Sequence, residues 1–64
     1  MNKVKGFRVM VGMTQEEMAN AIGVSVRTYT NKETGKSEFT ISEFKLIKDT
    51  LNNKGLNVSL EELF

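Results

Sequence analysis

The chain has 64 residues, enough for one small domain, of which 39 % are hydrophobic and 27 % charged, with a formal net charge of +1. It contains no Cys or His, which excludes disulfide bonds and the commonest zinc ligands, so we predict no metal and no cofactor. The longest apolar run is only three residues, 9–11, which is too short for a membrane span. The absence of Cys favours a reducing compartment, and we expect a cytoplasmic protein.

Enzymatic activity is disfavoured by the same composition. The chain lacks His for general acid–base catalysis, lacks a Cys nucleophile and has no glycine-rich phosphate loop. The charge is unevenly divided, since residues 1–36 carry six basic and three acidic side chains, whereas residues 37–64 carry three basic and five acidic ones. The N-terminal part can therefore face a polyanion, although ordinary scatter of surface charges would give the same count.

The first predicted helix covers residues 2–11, where Val4, Phe7 and Val11 form one apolar stripe that ends at Gly12. The second, 15–22, begins at a capping box formed by residues 14 and 17 and ends at residue 23, a glycine suited to the left-handed C′ position. Its inner face is predicted to hold three apolar residues: Met18, Ala21 and Ile22.

Three more helices are predicted. Residues 26–34 follow the N-cap candidate Ser25 and are almost entirely polar. Residues 41–53 follow a capping box at Thr40 and have an apolar stripe, and residues 60–63 follow a third box. The stripe of the fourth helix is expected to consist of Ile41, Phe44, Ile47, Lys48 and Leu51. The methionines expected to fill the core are Met10, Met13 and Met18.

The sequence therefore predicts an all-α fold: one compact domain, 1–64, of five helices. Helices 15–22 and 26–34 are joined by only three residues, so they must cross steeply, as in a helix-turn-helix. Ala19 supplies the small side chain that a close crossing needs, and Gly23 supplies the positive φ that the reversal needs. We place the helix-turn-helix core at residues 14–34.

This pattern resembles the Cro/repressor-type (XRE) helix-turn-helix family of phage and bacterial transcriptional regulators. The resemblance rests on Arg8, Gly12, Thr14-Gln15-Glu16-Glu17-Met18-Ala19, Ile22-Gly23-Val24-Ser25 and Glu33-Thr34-Gly35-Lys36. The segments 39–44 and 59–64 are also similar to small phage-type members. The chain departs from the common pattern at Lys32, often Trp or Leu, and at Thr34, often Asn.

The resemblance implies a repressor-like domain that places helix 26–34 in the major groove of double-stranded DNA. Side chains on its outer face would contact base edges: Val26, Arg27, Thr30 and Asn31. Side chains at helix starts and in the following loop would contact phosphates: Thr14, Gln15, Ser25, Thr34, Lys36 and Ser37. Each of these polar residues has an alternative interpretation as an ordinary solvated surface group or helix cap.

The resemblance also implies a structural ion pair between Arg8 and Glu33. One recognition helix reads few base pairs, so we expect a weak homodimer, reinforced on a palindromic operator. The apolar C-terminal segment offers the interface, for which we select Leu56, Val58 and Phe64, with completion of the monomer core as the alternative.

The function predicted from the sequence is that of a sequence-specific DNA-binding transcriptional regulator associated with the nucleoid, a Cro/repressor-like protein of the phage or mobile-element kind that reads the major groove with helix 26–34. We see no signal for a small-molecule ligand. The alternative is a protein-interaction module on the same scaffold, such as an anti-repressor or an antitoxin-type partner. RNA binding is less favoured, because the chain lacks the aromatic platform on which single-stranded bases stack.

Overall fold

The computed structural model describes residues 2–64, and within this range the chain forms four α-helices and one 3-10 turn. These elements are α1 (Val4–Met10), α2 (Gln15–Ile22), α3 (Val26–Glu33), α4 (Ile41–Asn53) and the 3-10 turn Glu61–Leu63. The described residues contain no strand, so the prediction of an all-α fold is confirmed, whereas the count of five helices is not confirmed, because the fifth element is a 3-10 turn. Met1, the first residue of the predicted domain 1–64, lies outside the described residues.

The fifth predicted helix is a 3-10 turn because its backbone hydrogen bonds span three residues rather than four. The Leu63 amide donates to the Leu60 carbonyl (3.1 Å), and the Phe64 amide donates to the Glu61 carbonyl (3.3 Å). Only half of the predicted third capping box is present, since the Glu62 carboxylate accepts from the Ser59 amide (2.7 Å) while the turn has no side-chain cap. The turn therefore closes the chain without adding an α-helix.

The other helices keep the predicted positions with small differences at their ends. α1 begins at Val4 instead of residue 2, with Lys3 as its N-cap residue, and the Asn2 side-chain oxygen accepts the Val4 amide (3.1 Å) just before the helix. α3 ends at Glu33, one residue before the predicted end. The capping boxes of α2 and α4 are present, with the Thr14 hydroxyl accepting from Glu17 (3.0 Å). Each box satisfies two backbone N–H groups that a helix start leaves unpaired.

The core lies between the four helices and the 3-10 turn. Six of its side chains are fully buried: Tyr29, Met18, Ile47, Leu51, Leu63 and Val4. A row of aromatic rings in contact continues the core from α3 to the C-terminus. The distance between ring centroids is 5.7 Å for Tyr29–Phe39, 5.3 Å for Phe39–Phe44 and 5.0 Å for Phe44–Phe64. No helix among residues 2–64 has the length and apolar character needed to cross a membrane.

Three apolar residues predicted to face the core are exposed instead. Met10 is 66 % exposed, because α1 turns Val4 and Arg8 inward and presents the opposite side to solvent. Ala21 is exposed because the buried face of α2 is centred on Met18, Ala19 and Ile22, so the small core residue is Ala19. Ile41, the first residue of α4, is 56 % exposed.

Candidate nucleic-acid interface

The corner between α2 and α3 fixes the orientation of α3. Gly23 adopts φ +78°, which lets the chain reverse, and the Val24 amide donates to the Ala19 carbonyl (3.0 Å). Ala19 is fully buried in the core beside this corner. Ser25 then caps α3, since its hydroxyl accepts the Thr28 amide (3.1 Å). Two helices are thus held against each other by a three-residue connection.

A buried ion pair ties α1 to the C-terminal end of α3. Arg8 Nε lies 2.8 Å from Glu33 Oε2, and Arg8 Nη2 lies 3.3 Å from Glu33 Oε1. Arg8 is 7 % and Glu33 4 % exposed, and Arg8 Nη1 also donates to the Met13 carbonyl (2.7 Å). The hydrogen bond from the Arg8 guanidinium to Glu33, opposed by burial, leaves the pKa of Arg8 above its ordinary value. These are the two residues that the family resemblance pairs.

Two further donors complete the surroundings of the Glu33 carboxylate. The Tyr29 hydroxyl donates to Oε2 (2.5 Å), and the Gln15 side-chain amide donates to Oε1 (2.9 Å). Burial raises the pKa of Glu33, but the hydrogen bonds from Arg8, Tyr29 and Gln15 outweigh it and hold the pKa below its ordinary value. Burial, followed by the hydrogen bond to Glu33, raises the pKa of Tyr29.

We call these four residues, Arg8, Gln15, Tyr29 and Glu33, the buried polar network. It connects α1, α2 and α3, and so fixes the end of α3 opposite to the Ser25 cap. Sequence reasoning missed Tyr29 as a partner of Glu33. Their spacing of four residues on one helix was a usable signal, because side chains at i and i+4 lie on the same face.

The outward face of α3 presents the predicted base-contacting side chains. Val26 is 40 % exposed and Arg27 is exposed, at the N-terminal turn of the helix. Thr30 and Asn31 are half-buried, and the Thr30 hydroxyl donates over a long 3.5 Å to the Gln15 side-chain oxygen. Neither salt bridge found within residues 2–64 involves Arg27, so in that range its guanidinium is not held by a carboxylate.

The predicted phosphate-contacting residues differ in their exposure and in how many of their polar groups are already hydrogen-bonded within the protein. Thr14 and Ser25 are exposed helix caps, and the Thr34 hydroxyl donates to the Thr30 carbonyl (2.8 Å). The Gln15 side chain is half-buried and bound to Glu33, so part of its hydrogen-bonding capacity is already used.

Two more phosphate candidates lie in the loop after α3. Lys36 and Ser37 are exposed, and their amides both donate to the Asn31 carbonyl (2.9 and 3.2 Å). The loop is therefore folded back on the last turns of α3 rather than extended away from it.

The residues selected for a dimer interface differ in exposure. Phe64 is 48 % exposed and Leu56 is half-buried. Val58 is only 3 % exposed because it packs within the core cluster that includes Leu63, which leaves little of its side chain for contact with a second copy. The surface that remains for contact between copies is the exposed edge of Phe64 with the accessible part of Leu56.

Two short helices joined by a tight three-residue corner, with the second helix polar on its outer side, define a helix-turn-helix domain of the kind found in DNA-binding transcription regulators. A family model described as Helix-turn-helix matches residues 4–63. The chain therefore belongs to the XRE-type helix-turn-helix family, which confirms the family predicted from the sequence. No curated protein and no solved structure matches it.

Proposed function

We propose that this protein is a sequence-specific repressor that binds double-stranded DNA with α3 in the major groove. The observation that carries the proposal is the polar outer face of α3, where Val26 and Arg27 are exposed on a helix otherwise fixed by the core. A helix that is polar on its outer side and anchored at both ends is suited to reading base edges. Membership of the family supports DNA binding by the domain.

The side chains on this face match particular base edges. The Arg27 guanidinium can donate two hydrogen bonds to guanine O6 and N7, and the Asn31 amide can form a pair of hydrogen bonds with adenine. Val26 offers methyl groups for contact with thymine, and Thr30 offers a hydroxyl. This division assigns sequence preference to α3 and leaves binding strength to the phosphate contacts.

Phosphate contacts are proposed at the edges of the same face. Thr14 and Ser25 lie at the N-termini of α2 and α3, where free backbone N–H groups and the helix dipole favour an anion. Lys36 and Ser37 would contact the sugar-phosphate backbone of the DNA from the loop after α3. Gln15 is proposed to contact phosphate only with the capacity that Glu33 leaves free.

We further propose that the protein acts as a weak homodimer on a palindromic site, as befits a small regulator of the kind carried by phages and mobile elements. Two recognition helices about 34–36 Å apart would read two half-sites, and the two half-sites bound together would reinforce a small interface. Phe64, exposed at the C-terminal edge, is the anchor of that interface, with Leu56 beside it. Sedimentation with and without a palindromic duplex tests this, since a one-to-one complex on every tight site would contradict it.

Selection from a pool of random duplexes tests the proposed function directly. The wild-type chain should enrich one motif, and its affinity for that motif should fall steeply as salt rises. Arg27→Ala should relax one base position and weaken specific binding by about 1–3 kcal/mol, whereas Lys45→Ala, which removes an exposed positive charge from α4, should keep the motif. No enrichment and no salt-dependent binding would refute DNA recognition and favour the protein-interaction module.

A further inference from the structure

We propose that Lys32 and Glu43 are positioning residues that hold the phosphate-binding loop, residues 34–40, in its DNA-binding conformation. This inference rests on the proposed function and extends it to two residues that would not touch DNA. The loop joins α3 to α4 and carries Lys36 and Ser37. The pair spans it, because Lys32 lies in the last turn of α3 and Glu43 in the first turn of α4.

The contact between the two side chains is close and shielded. Lys32 Nζ lies 2.6 Å from Glu43 Oε1 and 2.7 Å from Glu43 Oε2. The side chains are 15 % and 14 % exposed, so water competes less with this ion pair than with one on the open surface. The ammonium group of Lys32 is therefore engaged by the protein itself and is not offered to a phosphate.

The same carboxylate also fixes the far end of the loop. Glu43 Oε1 accepts the Thr40 amide (2.8 Å), while the Thr40 hydroxyl accepts the Glu43 amide (3.1 Å). Burial raises the pKa of Glu43, but the hydrogen bonds from Lys32 and Thr40 outweigh it and keep the pKa below its ordinary value. One ionised carboxylate thus bonds to Lys32 in the last turn of α3 and to Thr40, the last residue of the loop.

Three hydrogen bonds to backbone carbonyls of α3 fix the near end. The Asn2 side-chain amide donates to the Lys32 carbonyl (3.0 Å). The amides of Lys36 and Ser37 donate to the Asn31 carbonyl, one residue before Lys32. The loop is therefore ordered in the free protein. It loses less conformational freedom than a flexible loop would when its side chains bind the phosphates of the DNA. Lys32 and Glu43 would raise affinity through this order and add no phosphate contact.

The variants that test this remove the pair without removing the fold. Lys32→Met keeps the apolar stem and deletes the charge, and Glu43→Gln keeps an oxygen that can still accept the Thr40 amide. Lys32→Arg should preserve the pair. Lys45→Met is the matched control, because it deletes an exposed positive charge on α4.

The affinity of each variant for the selected duplex is measured over a series of salt concentrations, at a temperature where circular dichroism shows each to be folded. Lys32→Met and Glu43→Gln should each weaken binding about three- to tenfold with an unchanged salt slope, as expected for a lost ordering effect. The double variant should have about the same affinity for the duplex as the single variant that binds less tightly. Lys32→Arg should bind like the wild type. Lys45→Met should change affinity less than threefold, because Lys45 is not part of the pair.

A measurement on the free protein keeps the test independent of DNA. Amide hydrogen exchange at Lys36 and Ser37 should accelerate in Lys32→Met, while that of Met18 in α2 stays unchanged. A salt slope reduced by about one would show that Lys32 contacts phosphate and would overturn the proposal. Wild-type affinity in Lys32→Met, or unchanged exchange at both amides, would also overturn it. Failure of the wild type itself to bind DNA would refute the proposed function, and this inference with it.

Discussion

Truncation of Arg8 is the most informative perturbation of the fold. Arg8→Ala removes the guanidinium from a site where it is 7 % exposed and donates to both oxygens of Glu33 and to the Met13 carbonyl. The Glu33 side chain, which is 1 % exposed when Arg8 is present, then keeps only Tyr29 and Gln15 as donors, and the Met13 carbonyl loses the donor that Arg8 supplied. An uncompensated buried charge is the main consequence.

The expected loss is large relative to the stability of so small a domain. Breaking a buried ion pair by removing one partner costs about 3–5 kcal/mol. A domain below about 70 residues rarely derives more than about 3–5 kcal/mol from a single core. We therefore expect Arg8→Ala to be largely or wholly unfolded at 25 °C, whereas Lys5→Ala, an exposed position on the same helix, should change the free energy of unfolding by less than about 0.5 kcal/mol.

Urea denaturation followed by circular dichroism measures these values, with a stabilising osmolyte added equally to all variants so that the folded baseline is defined. The double-mutant cycle with Glu33→Ala isolates the coupling. Once Glu33 is absent, Arg8→Ala should cost less than about 1 kcal/mol, because the buried carboxylate is gone. An equal loss in both backgrounds would show that Arg8 stabilises the domain without Glu33, and would refute this reasoning.

Three further outcomes are expected from the same denaturation assay. The pKa of Glu33 in the folded state lies below its ordinary value, so ionised Glu33 contributes its full stabilisation above about pH 4.3 and loses it as the pH falls through the pKa of the folded state. The urea concentration at the midpoint of unfolding should therefore be constant from about pH 7 to 5 and drop below about pH 4. A midpoint independent of pH down to 3 would contradict this. Thr14→Ala should lower the free energy of unfolding by about 1 kcal/mol, since it removes the cap of α2, and no loss would show that the capping box is not formed in solution. Leu51→Ala, in the buried core, should lower the free energy of unfolding by about 2–5 kcal/mol. Leu46→Ala, at a position that is 44 % exposed, should lower it by less than about 1 kcal/mol. Similar losses in both variants would mean that α4 is rotated about its axis.

The local features of the fold followed well from the sequence. The capping boxes at Thr14 and Thr40 and the left-handed Gly23 are found in the structure because each depends on residues within four positions of one another. The bounds of α2 and α4 were predicted to the residue for the same reason.

Features that depend on packing between distant segments followed less well. Val58 has an apolar side chain near the C-terminus, and only the folded core shows that it is enclosed. Ala21 has the right spacing for an inner face, yet the packing of α2 in the core buries Ala19 instead. Helical periodicity identifies an apolar stripe but leaves its centre uncertain by a residue on so short a helix.

In the candidate site, too, the local features could be predicted from the sequence and the contacts between distant segments could not. The outward face of α3 was read directly from the polarity of residues 26–34, and Val26 and Arg27 are indeed on the surface. The pair between Lys32 and Glu43 was not anticipated, because it joins two helices across a loop and Lys32 departs from the apolar residue that the family resemblance suggested. Whether the predicted side chains contact DNA stays a prediction.

The most direct test of the central claim is a nuclear magnetic resonance titration of the isotopically labelled chain with the duplex that it selects. The account predicts that the largest amide shifts fall on Ser25 and on residues 26–31 of α3, with smaller shifts at Lys36 and Ser37 and none at the exposed residues Val9 and Met10 on α1. Arg27→Ala should reduce the preference for the selected duplex over a scrambled one by about 1–3 kcal/mol and leave the preference at the other base positions in place. Shifts centred on α1, or equal shifts with both duplexes, would contradict major-groove reading by α3.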